Sequence, residues 1–215
     1  MPDIPAVRVV VWSDYVCPFC YLELPVLDRL EREAGVPVAV EWRAYELRPD
    51  PVPTLDPDGA YLHRVWNQSV YPMARERGMT LRLPPVQPRS RKAHEATAFA
   101  RAEGRFDAMN EALFRAFFAE GRDIGDPDLL VAVGREAGLD ADGLARALAE
   151  GRFTAEVLAD EAEARRLPLS GVPALAVSPG KGLTEHGYLL QGAQRYEVVA
   201  AAVERVMRGP LLTER

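Results

Sequence analysis

The chain has little cysteine and little histidine: its 215 residues include two cysteines and three histidines. Stabilising disulfides are excluded, because a bridge between Cys17 and Cys20 would close a very short loop and add little stability. A zinc site would need two more ligands, and His63, His94 and His186 do not have the spacing of zinc ligands. We therefore expect no bound metal and no other cofactor.

Excess positive charge and long apolar stretches are also missing. Lys and Arg number 26 against 32 for Asp and Glu, which gives a net charge of -6. This charge disfavours nucleic acid as a partner. The apolar run at 7–12 is interrupted by Arg8 and is too short for a membrane span or a signal peptide. We expect a cytoplasmic protein with no membrane partner, and nothing in the sequence fixes its oligomeric state.

The first part of the chain predicts a strand, a helix and a second strand. Residues 7–12 are β-branched and apolar, as in a buried central strand. Apolar residues at helical spacing follow from Pro18 until Gly35, and residues 36–44 then form the second strand. A helix between two strands implies that the strands are parallel. The two cysteines lie where the first strand turns into the helix.

The middle of the chain is predicted to be helical. Residues 48–58 hold four prolines and three aspartates, which marks a boundary. Helices are expected at 59–77, 89–103, 107–120, 127–137, 141–149 and 153–166, and later strands and a helix at 172–178, 188–190 and 194–207. This order predicts an α/β domain formed by residues 1–51 and 167–215, with an inserted all-helical domain at 52–166.

The segment Cys17-Pro18-Phe19-Cys20 carries the chemistry. A CxxC motif beside a strand–helix–strand unit is typical of a redox pair. At a helix N-terminus, unpaired N–H groups and the helix dipole favour the thiolate form of Cys17, which is the nucleophilic form. Cys20 lies one turn further into the helix, where it can resolve a mixed disulfide. A pair of inert buried thiols is the less favoured alternative.

The sequence resembles the DsbA family of thiol oxidoreductases, and within it the cytoplasmic FrnE-like branch. The resemblance covers nearly all of the chain. It rests on DYVCPFCY at 14–21, WRAYELRP at 42–49, AH at 93–94, LFRAFF at 113–118, GVP at 171–173 and GAQ at 192–194. It implies a thioredoxin-like fold with a helical domain inserted over the active site, and dithiol chemistry on protein or small-molecule disulfides.

The thioredoxin-like fold gives Val172 and Pro173 a role. In such folds a cis-proline at the start of this strand faces the active cysteines and leaves the preceding backbone free to pair with an extended substrate. A proline at the first position of a strand is also sterically ordinary. We expect Pro18, Phe19, Val172 and Pro173 to contact the substrate, and the Val172–Pro173 bond to be cis.

The sequence departs from the family pattern in two ways. Phe19 stands where Trp is more frequent, and the second cysteine pair of some FrnE-like relatives is missing. With no third cysteine, an external redox partner must restore the pair after each turnover.

Some residues and functions stay open at this point. His94 is interpreted as a helix-face histidine with a local hydrogen bond, rather than one that tunes a thiolate. Arg89, Arg91 and Lys92 are interpreted as a solvated helix start, rather than an anion site. Two other functions are weighed: a glutathione-dependent isomerase or transferase of the same fold, in which serine usually replaces Cys17, and a chaperone-like binder in which the cysteines are incidental.

Overall fold

A computed structural model describes residues 6–180 and 187–209. Its sheet has four strands in the order β2-β1-β3-β4. They are β1 (Val7–Ser13), β2 (Val38–Ala44), β3 (Ala174–Pro179) and β4 (Tyr188–Gln191). β1 is parallel to β2, as predicted, and antiparallel to β3, with Val9 opposite Val40 on one side and Val177 on the other. The late strand therefore returns to the same sheet as the first one.

Both faces of β1 are covered, which explains its continuous apolar sequence. On one face, Val7, Val9 and Val11 pack with helices α1 (Pro18–Glu33) and α9 (Tyr196–Arg208). On the other face, Val10 and Trp12 pack with the end of a helix from the middle of the chain. The strand that leads into the cysteines is thus held from four sides.

The middle of the chain is helical, close to the predicted ranges. The helices are α2 (Ala60–Val65), a π-helical turn (Trp66–Val70), α3 (Tyr71–Glu76), α4 (Arg91–Ala102), α5 (Phe106–Phe118), α6 (Pro127–Glu136), α7 (Ala141–Glu150) and α8 (Thr154–Ala164). We call residues 60–164 the helical block. Its core is the buried face of α5, which includes Met109, Leu113 and Phe117. The predicted domain limits at 52 and 166 stay a prediction.

The first turns of α1 do not share the core of the sheet. Tyr15, Cys17, Cys20 and Leu22 belong to the same apolar cluster as the helical block. The lower part of α1, including Leu27, packs on the sheet. The cysteines therefore lie at the junction between the two parts of the molecule. In the described part of the chain, no helix is long and apolar enough to cross a membrane.

Candidate active site

Cys17 caps the N-terminus of α1. Its backbone is extended, with φ -97° and ψ 111°, and Pro18 is the first helical residue. The Cys17 N–H donates to the Asp14 carbonyl oxygen at 3.0 Å, and the Cys20 N–H donates to the Cys17 carbonyl oxygen at 3.1 Å. Both thiols are free. The strand-to-helix turn thus places Cys17 at the N-terminus of α1, where the helix dipole favours a negative charge.

The two thiols differ in their surroundings. Cys20 is fully buried, and this desolvation raises the pKa of its thiol well above the ordinary value. The nearby Cys17 sulfur raises this pKa further, while hydrogen bonds from the Ser13 hydroxyl and the Asp14 backbone lower it. At neutral pH the Cys20 thiol therefore keeps its proton until a reaction step removes it.

The fold brings Val172 against Cys17 although the two residues are far apart in the chain. The Cys17 thiol donates to the Val172 carbonyl oxygen at 3.4 Å. The Val172–Pro173 peptide bond is cis, as predicted. Pro18 and Phe19 are half-buried at the start of α1, and Phe19 packs against the core of the helical block. The structure therefore gathers all six predicted site residues at one end of β1 and β3.

Asp14 is a member of the site that the sequence analysis missed. Its carboxylate is fully buried and accepts hydrogen bonds from the backbone N–H groups of Val16, at 3.3 Å, and Leu47, at 2.7 Å. It thereby ties the turn before Cys17 to the loop after β2. The sequence feature that could have indicated this role is the polar pair Ser13 and Asp14 at the end of a buried strand.

His94 lies beside this carboxylate. The sequence analysis expected a local hydrogen bond for this histidine, and for the Nε2 atom that expectation is wrong. This atom is 3.5 Å from Asp14 Oδ1 and has no hydrogen-bond partner within the described structure. The imidazole also packs on the Tyr15 ring, with 4.9 Å between centroids, and the Tyr15 hydroxyl donates to Asn110 Oδ1 at 2.8 Å. His186, considered above as a metal ligand, lies outside the described residues.

The basic residues before His94 form neither a solvated helix start nor an open anion site. Arg89 donates to the carbonyl oxygens of Arg48 and Val52, at 2.9 and 3.1 Å. Arg91 pairs with the buried Glu46, and Lys92 with Glu95 at 2.7 Å. These side chains brace the loop after β2 and the start of α4.

Comparison with known proteins agrees with this geometry. A sequence model of the DSBA-like thioredoxin domain family matches residues 8–204. The chain belongs to this family. YwbO of Bacillus subtilis, an uncharacterized protein, shares 38% identity over 145 residues, which is 66% of this chain and 72% of YwbO.

Two solved structures show the fold of the DSBA-like chain over almost its whole length. The probable DsbA oxidoreductase SCO1869 of Streptomyces coelicolor is 26% identical, with a TM-score of 0.75 and coverage of 97% of this chain and 93% of that one. A 2-hydroxychromene-2-carboxylate isomerase is 19% identical, with a TM-score of 0.74 and coverage of 94% and 96%. The second likeness concerns the fold alone. The thioredoxin-like fold expected from the sequence is confirmed.

Proposed function

We propose that the protein is a thiol–disulfide oxidoreductase that uses Cys17 and Cys20 on protein or small-molecule disulfides. The observation that carries the proposal is the position of Cys17, at the N-terminus of α1 and against the Val172 carbonyl, with a buried thiol one turn away. Both thiols are buried, so what distinguishes Cys17 is its position at the helix N-terminus and its contact with the Val172 carbonyl oxygen.

The reaction is an exchange of disulfides in two steps. The Cys17 thiolate attacks one sulfur of a substrate disulfide, and the other substrate sulfur leaves as a thiolate that takes up a proton. Cys20 then loses its proton and attacks the Cys17 sulfur, which forms the Cys17–Cys20 disulfide and releases the second substrate thiol. Two electrons pass from the protein to the substrate. In the opposite direction, the same steps oxidise a substrate dithiol.

The substrate would lie along Val172, where the backbone next to Pro173 offers hydrogen bonds, and would contact Pro18 and Phe19 at the start of α1. An external thiol or disulfide partner then resets the Cys17–Cys20 pair. We place the protein in the FrnE-like branch and in the cytoplasm. The chain has two cysteines, three positions apart, and neither can bridge distant segments, which suits a reducing compartment.

A trapping experiment tests the two roles. The Cys20→Ser variant should stay linked to a disulfide-bearing protein through Cys17, because no internal thiol remains to release the adduct. The Cys17→Ser variant should form no adduct, because its remaining thiol is buried and protonated. Non-reducing gel electrophoresis separates adduct from free protein.

Two outcomes would contradict the proposal. An adduct with Cys17→Ser, or equal adducts with both variants, would reverse or remove the assigned roles. If neither variant forms an adduct and both still suppress aggregation of an unfolded protein, the chaperone-like hypothesis gains over the redox one.

A further inference from the structure

A groove of about 430 Å³ lies beside α1, next to the edge strand of the sheet. Its walls come from α1, from β2 and from the first turns of α5. The apolar and aromatic part of the wall includes Tyr21, Leu24, Val40, Trp42 and Met79. None of the six predicted site residues lines this groove, so the proposed cysteine chemistry leaves it without a role.

Four carboxylates line the groove together with these residues. Asp28 and Glu31 belong to α1, and Asp107 and Glu111 belong to α5. Burial raises the pKa of Asp28 and of Glu31, and neighbouring carboxylates of the groove raise both further, while Arg32 opposes the shift at Asp28. The ion pairs that α1 and α5 form within the described residues involve other side chains: Arg29 with Glu33, Arg77 with Glu23, and Arg115 with Glu120.

The arrangement of the carboxylates suits an extended organic cation better than a metal ion. Among the described residues, no group of three or more His, Cys, Asp or Glu side chains is arranged to hold a metal ion. The negative charge is instead divided between two helices, with two carboxylates on each. Tyr21 and Trp42 add aromatic rings to the same wall. Such rings attract guanidinium and ammonium groups, and they also pack against the aliphatic part of an arginine or lysine side chain.

A buried amide in the wall distinguishes a peptide from other organic cations. Asn110 lines the groove and is 3% exposed. Its Oδ1 accepts the Tyr15 hydroxyl, whereas its amide N–H groups have no hydrogen-bond partner within the described residues. A buried donor without an acceptor costs free energy, which a ligand carbonyl group would restore. A peptide carries carbonyl groups beside its cationic side chains, and a polyamine carries none.

The groove begins one helical turn after the nucleophile. The Tyr21 N–H donates to the Cys17 carbonyl oxygen at 3.4 Å. The groove residues of α1 include four that follow at intervals of three and four positions: Tyr21, Leu24, Asp28 and Glu31. They therefore share one face of the helix. This face spans about 15 Å, at a rise of about 1.5 Å per residue, and an extended chain covers that length with about five residues.

We propose that this groove binds an extended basic segment of a protein partner, with arginine or lysine side chains between the carboxylates and a backbone carbonyl at Asn110. The inference rests on the proposed function for its consequence, which is that the oxidoreductase prefers basic protein partners. The binding itself uses neither cysteine. Because α1 carries Cys17 and one wall of the groove, a partner that is bound there is held near the nucleophile.

Binding of peptides without cysteine to the wild-type protein tests the groove. The probe is a blocked five-residue peptide that alternates arginine and glycine, and calorimetric titration gives its dissociation constant. A matched peptide carries glutamine in place of arginine, and it should bind about tenfold more weakly, since each exposed ion pair contributes a factor of about three. Spermine should bind about fivefold more weakly than the arginine peptide, because it offers no acceptor to the Asn110 amide.

Two double variants locate the binding site. Asp28→Asn with Glu111→Gln removes one charge from α1 and one from α5, and it should weaken binding of the arginine peptide about tenfold. The matched control is Asp142→Asn with Glu204→Gln, which makes the same change in net charge on α7 and α9, away from the groove. The control should bind the arginine peptide like the wild type, and both double variants should keep the wild-type unfolding midpoint.

The outcomes separate this inference from the proposed function. Equal weakening in the two double variants would show that the peptide responds to the net charge of the chain, and the groove would be wrong. Spermine binding as tight as that of the arginine peptide would refute the commitment to a peptide. Oxidation of the reduced protein by 2-hydroxyethyl disulfide tests the redox function separately, and the groove variant should react at the wild-type rate. A wild type that binds the arginine peptide but is not oxidised by this disulfide would refute the redox function and keep the groove.

Discussion

At the scale of single residues, Ser13 is one of the groups that set the pKa of Cys20, the resolving thiol of the proposed reaction. It is the last residue of β1, and a hydrogen bond from its hydroxyl lowers the otherwise strongly raised pKa of Cys20. Cys20 must become a thiolate to resolve a mixed disulfide. Ser13 therefore assists the second step of the proposed reaction and has no part in the attack by Cys17.

The Ser13→Ala variant should resolve mixed disulfides about tenfold more slowly than the wild type. A hydrogen bond to a charged group contributes about 1.5–3 kcal/mol, and 1.4 kcal/mol corresponds to a factor of ten in rate. The measurement uses stopped-flow mixing with a mixed disulfide whose two thiols have different absorption spectra once released. The release of the first thiol and the release of the second thiol are then followed separately. The rate of the first release should stay unchanged.

Ser178→Ala is a matched control for this substitution. Ser178 is likewise a buried serine in the sheet, on β3, and its hydroxyl has no hydrogen-bond partner among the described residues. Its variant should release both thiols at wild-type rates. Equal slowing in both variants would show that a general loosening of the sheet, and not the Ser13 hydroxyl, controls the second step.

The sequence predicts those site residues that lie close together in the chain. Cys17 and Cys20 lie in one strand-to-helix turn, and their spacing alone places them a helical turn apart. Asp14 and His94 are eighty positions apart in the chain and come together only because the first turn of α4 lies beside the turn that follows β1. No pattern within either segment encodes that contact, so the histidine could not be assigned to the site beforehand.

At the scale of secondary-structure elements, Glu23 joins three segments behind the active site. It lies in α1, and its fully buried Oε2 accepts the Gln194 N–H at 2.8 Å. Arg77, just after α3, lies 3.3 Å from the same oxygen and donates to the Gln194 carbonyl oxygen at 2.5 Å. Burial raises the pKa of Glu23 to about 7, although both partners lower it.

This shift predicts that the folded protein loses stability as the pH rises. The unfolded chain releases the Glu23 proton near pH 4.5, whereas the folded protein retains it until about pH 7. Between these values the unfolded state binds fewer protons, so the free energy of unfolding falls with pH and then levels off. The contribution of this carboxyl group is about 3 kcal/mol at most, at 1.36 kcal/mol per unit.

The Glu23→Gln variant should therefore lose less stability than the wild type between pH 5 and pH 7.5. Urea unfolding at a series of pH values gives the difference in slope. Glu46, whose pKa burial also raises to about 7, keeps part of the slope in both proteins. Glu204→Gln, on the exposed surface of α9, is the control and should follow the wild-type curve. Parallel curves for Glu23→Gln and the wild type would contradict the shift.

The positions of the helices could be predicted from the sequence more accurately than the backbone geometry within them. Apolar spacing places α4 to α8 within three residues of their observed limits. The predicted helix at 59–77 is present, but its centre is a π-helical turn from Trp66 to Val70. Trp66 is buried there against Tyr71 and Phe118. Such a turn depends on fitting a large side chain into a core built by another helix, and spacing within one segment does not show it.

At the scale of the whole molecule, Asp160 connects the helical block to the sheet. It lies on α8, and its backbone carbonyl oxygen accepts the indole N–H of the buried Trp12 at 3.3 Å. Its carboxylate accepts the Ala44 N–H at 3.0 Å and the Arg43 guanidinium at 2.9 Å. Asp160 therefore contacts both β1, which leads into the active-site turn, and β2, which leads into the loop after β2.

Because the cysteines share a core with the helical block and Asp160 fixes the other side of the sheet, we expect the molecule to unfold in one transition. Urea unfolding followed by tryptophan fluorescence and by far-UV circular dichroism should give the same midpoint. Trp12 and Trp42 report on the sheet, and Trp66 on the helical block. Two separate midpoints would mean that the two parts fold independently.

The Asp160→Ala variant should lower the free energy of unfolding by about 2 kcal/mol. It leaves the Ala44 N–H without its acceptor and removes the shorter of two ion pairs of Arg43, whose guanidinium also lies 3.5 Å from Glu41. The two probes should still coincide, since the loss affects a contact that both parts need. Glu156→Ala is the control on the same helix: its ion pair with Arg101 is exposed on both sides, so it should cost less than about 1 kcal/mol. If the fluorescence and dichroism midpoints of Asp160→Ala differ, the contacts around the cysteines are not enough to make the helical block and the sheet unfold together. Asp160 would then be the residue that couples the unfolding of these two parts.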